Sequence, residues 1–227
     1  MSDNQKTLNS SIEFTGVGLH TGEDVHMVIE PAIINHGVKF QRIDLESQPI
    51  LPADINLVTD TQRSTTLEKD NVKIVTVEHL MSALYALGVN NVLIKMDSSE
   101  VPILDGSAKC FVDEIQKVGL KVQDASLKYI DLPNPIHYTD PDSGSEILFV
   151  PTNNFIISVV LDYQNLALGT QYAEIRDLKD YSTEIAPCKT FVFLTELEKL
   201  SKANLIKGGG LELSLIHISE PTRPNFI

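Results

Sequence analysis

Tryptophan is absent from this chain of 227 residues, and cysteine nearly so, with only Cys110 and Cys188. Two thiols cannot build a disulfide framework, so a reducing, cytoplasmic setting is expected. Basic residues are scarce too: 18 Lys and Arg face 31 Asp and Glu, a formal net charge of −13. That balance excludes a nucleic-acid partner, because neutralising phosphates requires a basic face. An anionic small molecule is admissible only where Lys or Arg is placed locally. No apolar run approaches the roughly 20 residues needed to cross a bilayer. The polar first eleven residues hold no apolar signal region, so no stable membrane insertion is expected. What remains is an ordinary globular composition, 42% hydrophobic and 22% charged, long enough for one large domain or two small ones.

Several catalytic signatures are missing as well. Val75-Thr76-Val77-Glu78-His79 lacks the first His of an H-x-x-E-H zinc site, and H-E-x-x-H does not occur. Gly106-Ser107-Ala108-Lys109 lacks the closing Gly of a nucleophile elbow. Gly16-Val17-Gly18 has Thr21 where a dinucleotide loop needs its third Gly, and Gly208-Gly209-Gly210 is not followed by the Lys-Ser/Thr of a P-loop.

What the chain does have is a carboxylate beside an imidazole at the start of a helical pattern. Val77, Leu80, Met81, Leu84 and Tyr85 recur on one helical face. Thr76 is the expected N-cap and Gly88 the expected stop. Glu78 and His79 then occupy the first turn, at the positive end of the helix dipole. That field favours an ionised carboxylate, able to take a proton, and a neutral imidazole, able to bind a metal. Taken alone, the pair also fits a helix with an acidic first turn and one incidental histidine.

The neighbouring segments narrow the reading. They are Thr15-Gly16-Val17-Gly18-Leu19-His20-Thr21-Gly22, Ser99-Glu100-Val101-Pro102-Ile103-Leu104-Asp105-Gly106-Ser107-Ala108 and Cys188-Lys189-Thr190-Phe191. Together with residues 76–88, in this order and spacing, they resemble the zinc-dependent deacetylases of lipid A synthesis. Those enzymes remove the N-acetyl group from UDP-3-O-acyl-N-acetylglucosamine, the committed step. The resemblance runs from about residue 7 to residue 210. It implies that a zinc-bound water, activated by a Glu base, attacks the acetamide carbonyl. On that basis His79 is a zinc ligand, Glu78 the base, and Thr190 the hydroxyl that stabilises the oxyanion. Phe191 and the helix after it match the insert lining the acyl-chain passage. Asp162 and Tyr163 match the nucleotide site, with the aromatic ring on uracil; as plain sequence they read equally as a strand end carrying an aromatic. His20 is expected to play a hydrogen-bonded structural role.

The chain also departs from the family. Lys189 stands where the family generally has Arg, and Ser143, Gly144 and Ser145 occupy the place of an expected basic contact. The family's remaining zinc ligands, a His and an Asp one turn apart, and its general-acid His have no counterpart after Thr190, where only His217 occurs. A catalytic zinc needs three protein ligands. The chain is therefore expected to be an N-terminal fragment of such an enzyme, weak in zinc binding and inactive. A rival class is a non-catalytic α+β binding or interaction module that keeps the fold without the metal; a later His and Asp in the complete reading frame would distinguish the two. Some relatives continue into a dehydratase for acyl-carrier-protein substrates, so a C-terminal fusion of that kind is a further possibility.

The expected fold class is α+β. Strands are expected at 7–15, 24–32, 38–43, 65–67, 72–75 and 92–96, with a turn at Lys69-Asp70-Asn71. A second helix carries Ala108, Phe111, Val112, Ile115 and Val118 on one face and ends at Gly119. Residues 121–126 read as a polar linker. Beyond it, strands are expected at 136–138, 146–150, 155–163 (an apolar run suited to a central strand) and 172–175. Helices are expected near 181–185 and at 194–203. No internal repeat stands out in the sequence. The resemblance nevertheless implies two similar layered α/β sandwich units of the ribosomal S5 domain 2 type, 1–127 and an incomplete 128–212. Residues 213–224 read as translated adapter sequence, making 213–227 a suspected non-native tail; the alternative is an ordinary divergent terminus.

Overall fold

The computed structural model describes residues 4–163, 168–193, 207–208 and 214–216. It is a mixed α/β protein made mostly of strands. β1 (Asn4–Leu8), β2 (Ile12–Val17) and β3 (Asp24–Pro31) open the chain, followed by β4 (Val38–Arg42) and β5 (Ile50–Pro52). A short meander follows, of β6 (Val58–Asp60), β7 (Thr66–Lys69) and β8 (Val72–Ile74). The β7–β8 turn is the expected one: Asp70 and Asn71 both adopt positive φ, 51° and 64°, the geometry of a two-residue hairpin turn matched to strand twist. Helix α1 (Glu78–Ala86), β9 (Val92–Met96), helix α2 (Lys109–Val118) and β10 (Leu120–Ser126) complete this part.

β2, β3, β9, β4 and β5 form one sheet in that order, antiparallel except for the central β4–β9 pair. Its strands alternate, and the inward set (Met27, Ile29, Phe40, Val92, Ile94, Met96) is fully buried. The helices supply the other side of this core. Leu80, Ala83 and Leu84 of α1 and Phe111, Val112 and Ile115 of α2 are buried in the same cluster, and the Phe14 and Phe111 rings meet edge-on at 5.0 Å. Apart from Ala83, each such side chain contributes about 1.5–3 kcal/mol on full burial. The stop signal of α1 behaves as its sequence implies. Gly88 takes φ 72°, its N–H reaches Tyr85 O at 3.0 Å, and Val89 N–H reaches Leu84 O at 2.8 Å, a Schellman cap.

Three expectations need correcting here. Residues 121–126 are not a linker: β10 pairs antiparallel with β1. The expected first strand is broken at Asn9-Ser10-Ser11, because β1 pairs with β10 while β2 pairs with β3. Side-chain amides tie this outer pair to the sheet. The buried Asn91 donates to Gln5 Oε1 at 2.9 Å and to Gln123 Oε1 at 2.7 Å, while its own Oδ1 accepts from Gly37 N–H at 2.8 Å. Finally, Tyr85 is not on the buried face of α1. It is 58% exposed, and its ring lies 5.4 Å from that of Phe155.

Further along, β11 (Ile136–Thr139) pairs with β12 (Glu146–Phe149), and β13 (Ile157–Asp162) with β14 (Thr170–Ile175). Among the described residues β13 has a partner on one side only and is exposed along its length, which is not the setting of a central strand. A 3-10 turn (Leu178–Asp180) and a π-helical turn (Tyr181–Ile185) return the chain to the main core, where Ile175, Tyr181 and Ala186 are buried. β15 (Phe191–Phe193) pairs in parallel with β16 (Ser214–Ile216). The helix expected at 194–203, His217 and the remainder of the suspected tail lie outside the described residues. Among the described residues, no helix is long and apolar enough to cross a membrane.

Candidate active site

α1 starts without a side-chain cap: Val77 takes the N-cap position in helical conformation and makes no capping hydrogen bond. Thr76, the expected cap, is recruited elsewhere. Its φ is +60°, and its hydroxyl donates to Glu100 Oε1 at 2.7 Å. Glu78 and His79 nevertheless fall in the first helical turn, as expected, and both are half-buried. Glu78 Oε2 accepts from Thr65 N–H at 3.0 Å, which orients the carboxylate. Burial is the main influence on His79 and pushes its imidazole below the ordinary value of 6.5; the Glu78 and Asp105 carboxylates act in the opposite direction. The imidazole is thereby biased toward the neutral form that a metal ligand requires.

A loop and a returning segment close around this turn. Burial acts to raise the Asp105 carboxyl, but hydrogen bonds from the Ser107 hydroxyl and N–H, with lesser help from Cys110 and Lys189, leave it below the usual carboxylate range. Lys189 Nζ lies 3.8 Å from Asp105 Oδ2, a single-point contact of the kind expected of Lys. Thr190 N–H donates to Gly106 O at 2.8 Å, and Ala108 N–H to Ala186 O at 3.0 Å. Thr190, far from His79 in sequence, is thus fixed to the residue next to Asp105, whose charge acts on His79. On the other side, Ser82 Oγ donates to His79 O at 2.8 Å and shares a 2.7 Å hydrogen bond with the Tyr181 hydroxyl.

Phe191 and Tyr163 also come together. The Tyr163 ring lies 5.7 Å from Phe191 and 6.0 Å from Phe193, all in edge-on contacts. Asp162 ends β13 in register with Thr170 and is exposed. Apolar aromatic surface therefore follows directly on Thr190.

The residue the sequence reading missed is Glu100. It is fully buried, and its carboxylate accepts from His20 N–H (3.0 and 3.1 Å to its two oxygens), Thr21 N–H (2.8 Å), the Thr21 hydroxyl (2.9 Å) and the Thr76 hydroxyl. No local signal marks it: Glu100 follows the polar run Asp97-Ser98-Ser99 and reads as a surface carboxylate, whereas burial requires the full set of hydrogen bonds it makes. Gly18 is part of the same arrangement, since a Cβ there would run into Thr21 Oγ1 and Glu100 Oε2. The expected structural hydrogen bond of His20 is made by its backbone instead. Both ring nitrogens are buried without a hydrogen-bond partner among the described residues.

As a metal centre the described residues fall short. Among them, no three His, Cys, Asp or Glu side chains are grouped to hold an ion. One imidazole with neighbouring carboxylates that are already committed, Glu78 to Thr65 and Asp105 to Ser107, does not make a closed zinc site. A separate surface groove of about 810 Å³, lined by Leu8, Pro31, Ile33 and Val122 among others, shares no residue with this site.

Comparison with known proteins gives concordant matches. The family model described as LpxC, UDP-3-O-acyl N-acetylglycosamine deacetylase, matches residues 5–222. The chain is 44% identical over 212 residues to the bifunctional enzyme LpxC/FabZ of Bacteroides thetaiotaomicron, covering 93% of this chain and 46% of the relative. It is 42% identical over 217 residues to the enzyme of the same name from Porphyromonas gingivalis, covering 96% and 47%. To the UDP-3-O-acyl-N-acetylglucosamine deacetylase of Chromohalobacter salexigens it is 39% identical over 219 residues, covering 93% and 70%. The chain thus spans about half the length of the bifunctional relatives it matches.

Proposed function

Since the chain belongs to the UDP-3-O-acyl N-acetylglycosamine deacetylase family, we propose that the complete protein removes the acetyl group from the amide of UDP-3-O-acyl-N-acetylglucosamine, in the first committed step of lipid A synthesis. The observation that carries this reading is the family match extending through a paired Glu78 and His79 on the first turn of α1. Glu78 is the general base, its carboxylate oriented by the Thr65 N–H that donates to Oε2. His79 is one zinc ligand, and the metal's other ligands come from outside the described residues. Thr190, tethered to Gly106, supplies a hydroxyl for the developing oxyanion. Phe191 and its aromatic neighbours border the acyl-chain path, and Asp162 with Tyr163 contacts the nucleotide. Two similar α+β sandwich units, meeting near residue 127, and a dehydratase fused beyond the deacetylase complete the proposal. The relatives named as bifunctional support the fusion, and the complete open reading frame tests it.

The decisive experiment separates base from ligand. In the complete protein, Glu78→Ala should lower acetate release about 100- to 10,000-fold while zinc remains bound, because a base is removed and no ligand is lost. His79→Ala should lower the zinc content itself. The reverse pattern, an emptied metal site in Glu78→Ala and a full one in His79→Ala, would overturn these roles. The 227-residue polypeptide alone should bind zinc weakly and release no acetate; tight stoichiometric zinc with turnover would refute the single-ligand reading.

A further inference from the structure

We infer that Glu100 is a positioning residue for the Glu78–His79 pair, its buried carboxylate holding Thr76 in the left-handed conformation from which α1 departs. This rests on reading Glu78 and His79 as the reacting pair. Thr76 is β-branched and sits at φ +60°, a conformation that costs energy and persists only where the surroundings impose it. Here they do so from both sides. Val75 N–H donates to Ser99 O at 2.8 Å, and Val101 N–H to Val75 O at 3.0 Å, an isolated parallel bridge that joins the chain before the kink to the segment around Glu100. The Thr76 hydroxyl itself is bound by Glu100 Oε1 at 2.7 Å. No side chain caps α1; its start is held by this tether before the first turn and, after it, by Val77 N–H on Thr65 O at 3.4 Å and Thr65 N–H on Glu78 Oε2.

The same carboxylate gathers the turn at residues 18–22. Its other donors are the N–H groups of His20 and Thr21 and the Thr21 hydroxyl, and Gly18 leaves the space that the carboxylate fills. Both oxygens are engaged as acceptors, a role that only the ionised carboxylate fills completely. One buried anion thus joins two distant turns, and one of them delivers the base and the imidazole to the site. A displacement of about 1 Å at a reacting group can cost on the order of 100-fold in rate, so a lever this close to Glu78 acts on turnover rather than on substrate affinity.

The test uses the complete, zinc-loaded protein and two substitutions at position 76. Thr76→Val keeps the β-branched shape and its steric penalty at positive φ but deletes the tether that offsets it; kcat should fall on the order of 100-fold with KM unchanged. Thr76→Gly deletes both the tether and the steric penalty, since glycine occupies positive φ freely, and should retain most of kcat. Glu100→Gln places an amide N–H₂ against donors and should lose kcat, with Thr76→Gly restoring much of it in the double variant. Equal losses in Thr76→Val and Thr76→Gly, or no loss in Thr76→Val, would overturn the proposal. So would a Glu100→Gln defect that Thr76→Gly leaves untouched, because that assigns Glu100 to the 18–22 turn alone. If Glu100→Gln does not fold, the two substitutions at position 76 decide by themselves. If the unmodified protein releases no acetate, the functional reading fails, and amide hydrogen exchange then decides the structural one. Thr76→Val should speed exchange over residues 74–80 and spare 17–22, whereas unchanged exchange over 74–80 would overturn the tether.

Discussion

Ile29 and Ile94, on neighbouring strands of the five-stranded sheet, are fully buried, whereas Val160 and Leu161 of β13 remain 64% and 48% exposed. Both regions are built of strands with comparable apolar content; they differ in what lies across from them. β3 and β9 face two helices whose apolar stripes close a second layer. β13 has β14 beside it, and its residues stay exposed along the strand. Apolar sequence is enough to favour a strand, but burial comes only with a second layer. Hairpins of this kind are marginal by themselves, so the region from β11 to β14 depends on contacts beyond those described.

The contrast yields predictions in order of size. The largest is Phe111→Ala, which empties a fully buried position between α2 and β2 and should cost about 3–5 kcal/mol in denaturant unfolding. Gly18→Ala should cost less, about 1–3 kcal/mol, by pressing on Thr21 and Glu100. Val160→Thr should change stability by no more than about 0.5 kcal/mol, as exposed positions do; a cost like that of Phe111→Ala would mean β13 is buried in the isolated chain and would erase the contrast. Limited proteolysis should cut between residues 128 and 170 before it cuts within 4–126. Smallest is a pH effect on the metal-free protein. The unfolded imidazole of His79 takes its proton near 6.5, whereas burial lowers the folded value. Stability should therefore be fully present above pH 6.5 and be lost as pH falls through the lower folded value, because the unfolded chain then binds more protons. His79→Gln should flatten this slope in thermal melts, and an unchanged slope would show that another group causes it.

Local signals were legible in the sequence where neighbours in the chain are also neighbours in space. Asp70-Asn71 announced its hairpin, Gly88 and Gly119 their helix ends, and residues 92–96 their strand. The signals that misled were those settled at a distance. Thr76 reads as a cap because Thr caps helices, yet its hydroxyl finds Glu100 24 residues later. Residues 121–126 read as a linker because Lys121, Gln123 and Asp124 are polar, yet their partner is the first strand. Tyr85 fits the period of the α1 stripe but falls at its margin, where the ring turns out to Phe155. At the site, Glu78 and His79 were visible as a pair, as was their place in the first turn. The hub at Glu100 was not, since its donors come from residues 20, 21 and 76 and no local spacing joins them.

The pairing of β1 with β10 also orders events in time. β1 is made before its partner β10 and cannot complete this pairing until residue 126 has been made. At about 5–20 residues per second that is a wait of roughly 6 to 25 seconds. Through that interval Leu8, buried in the finished protein, remains without its β10 neighbour Leu120. The sheet and both helices can assemble first, from contacts of shorter span. The amino-terminal strand then becomes the last piece fitted, so changes at Gln5, Asn91 or Gln123 should alter the rate of that closing step more than the assembly that precedes it.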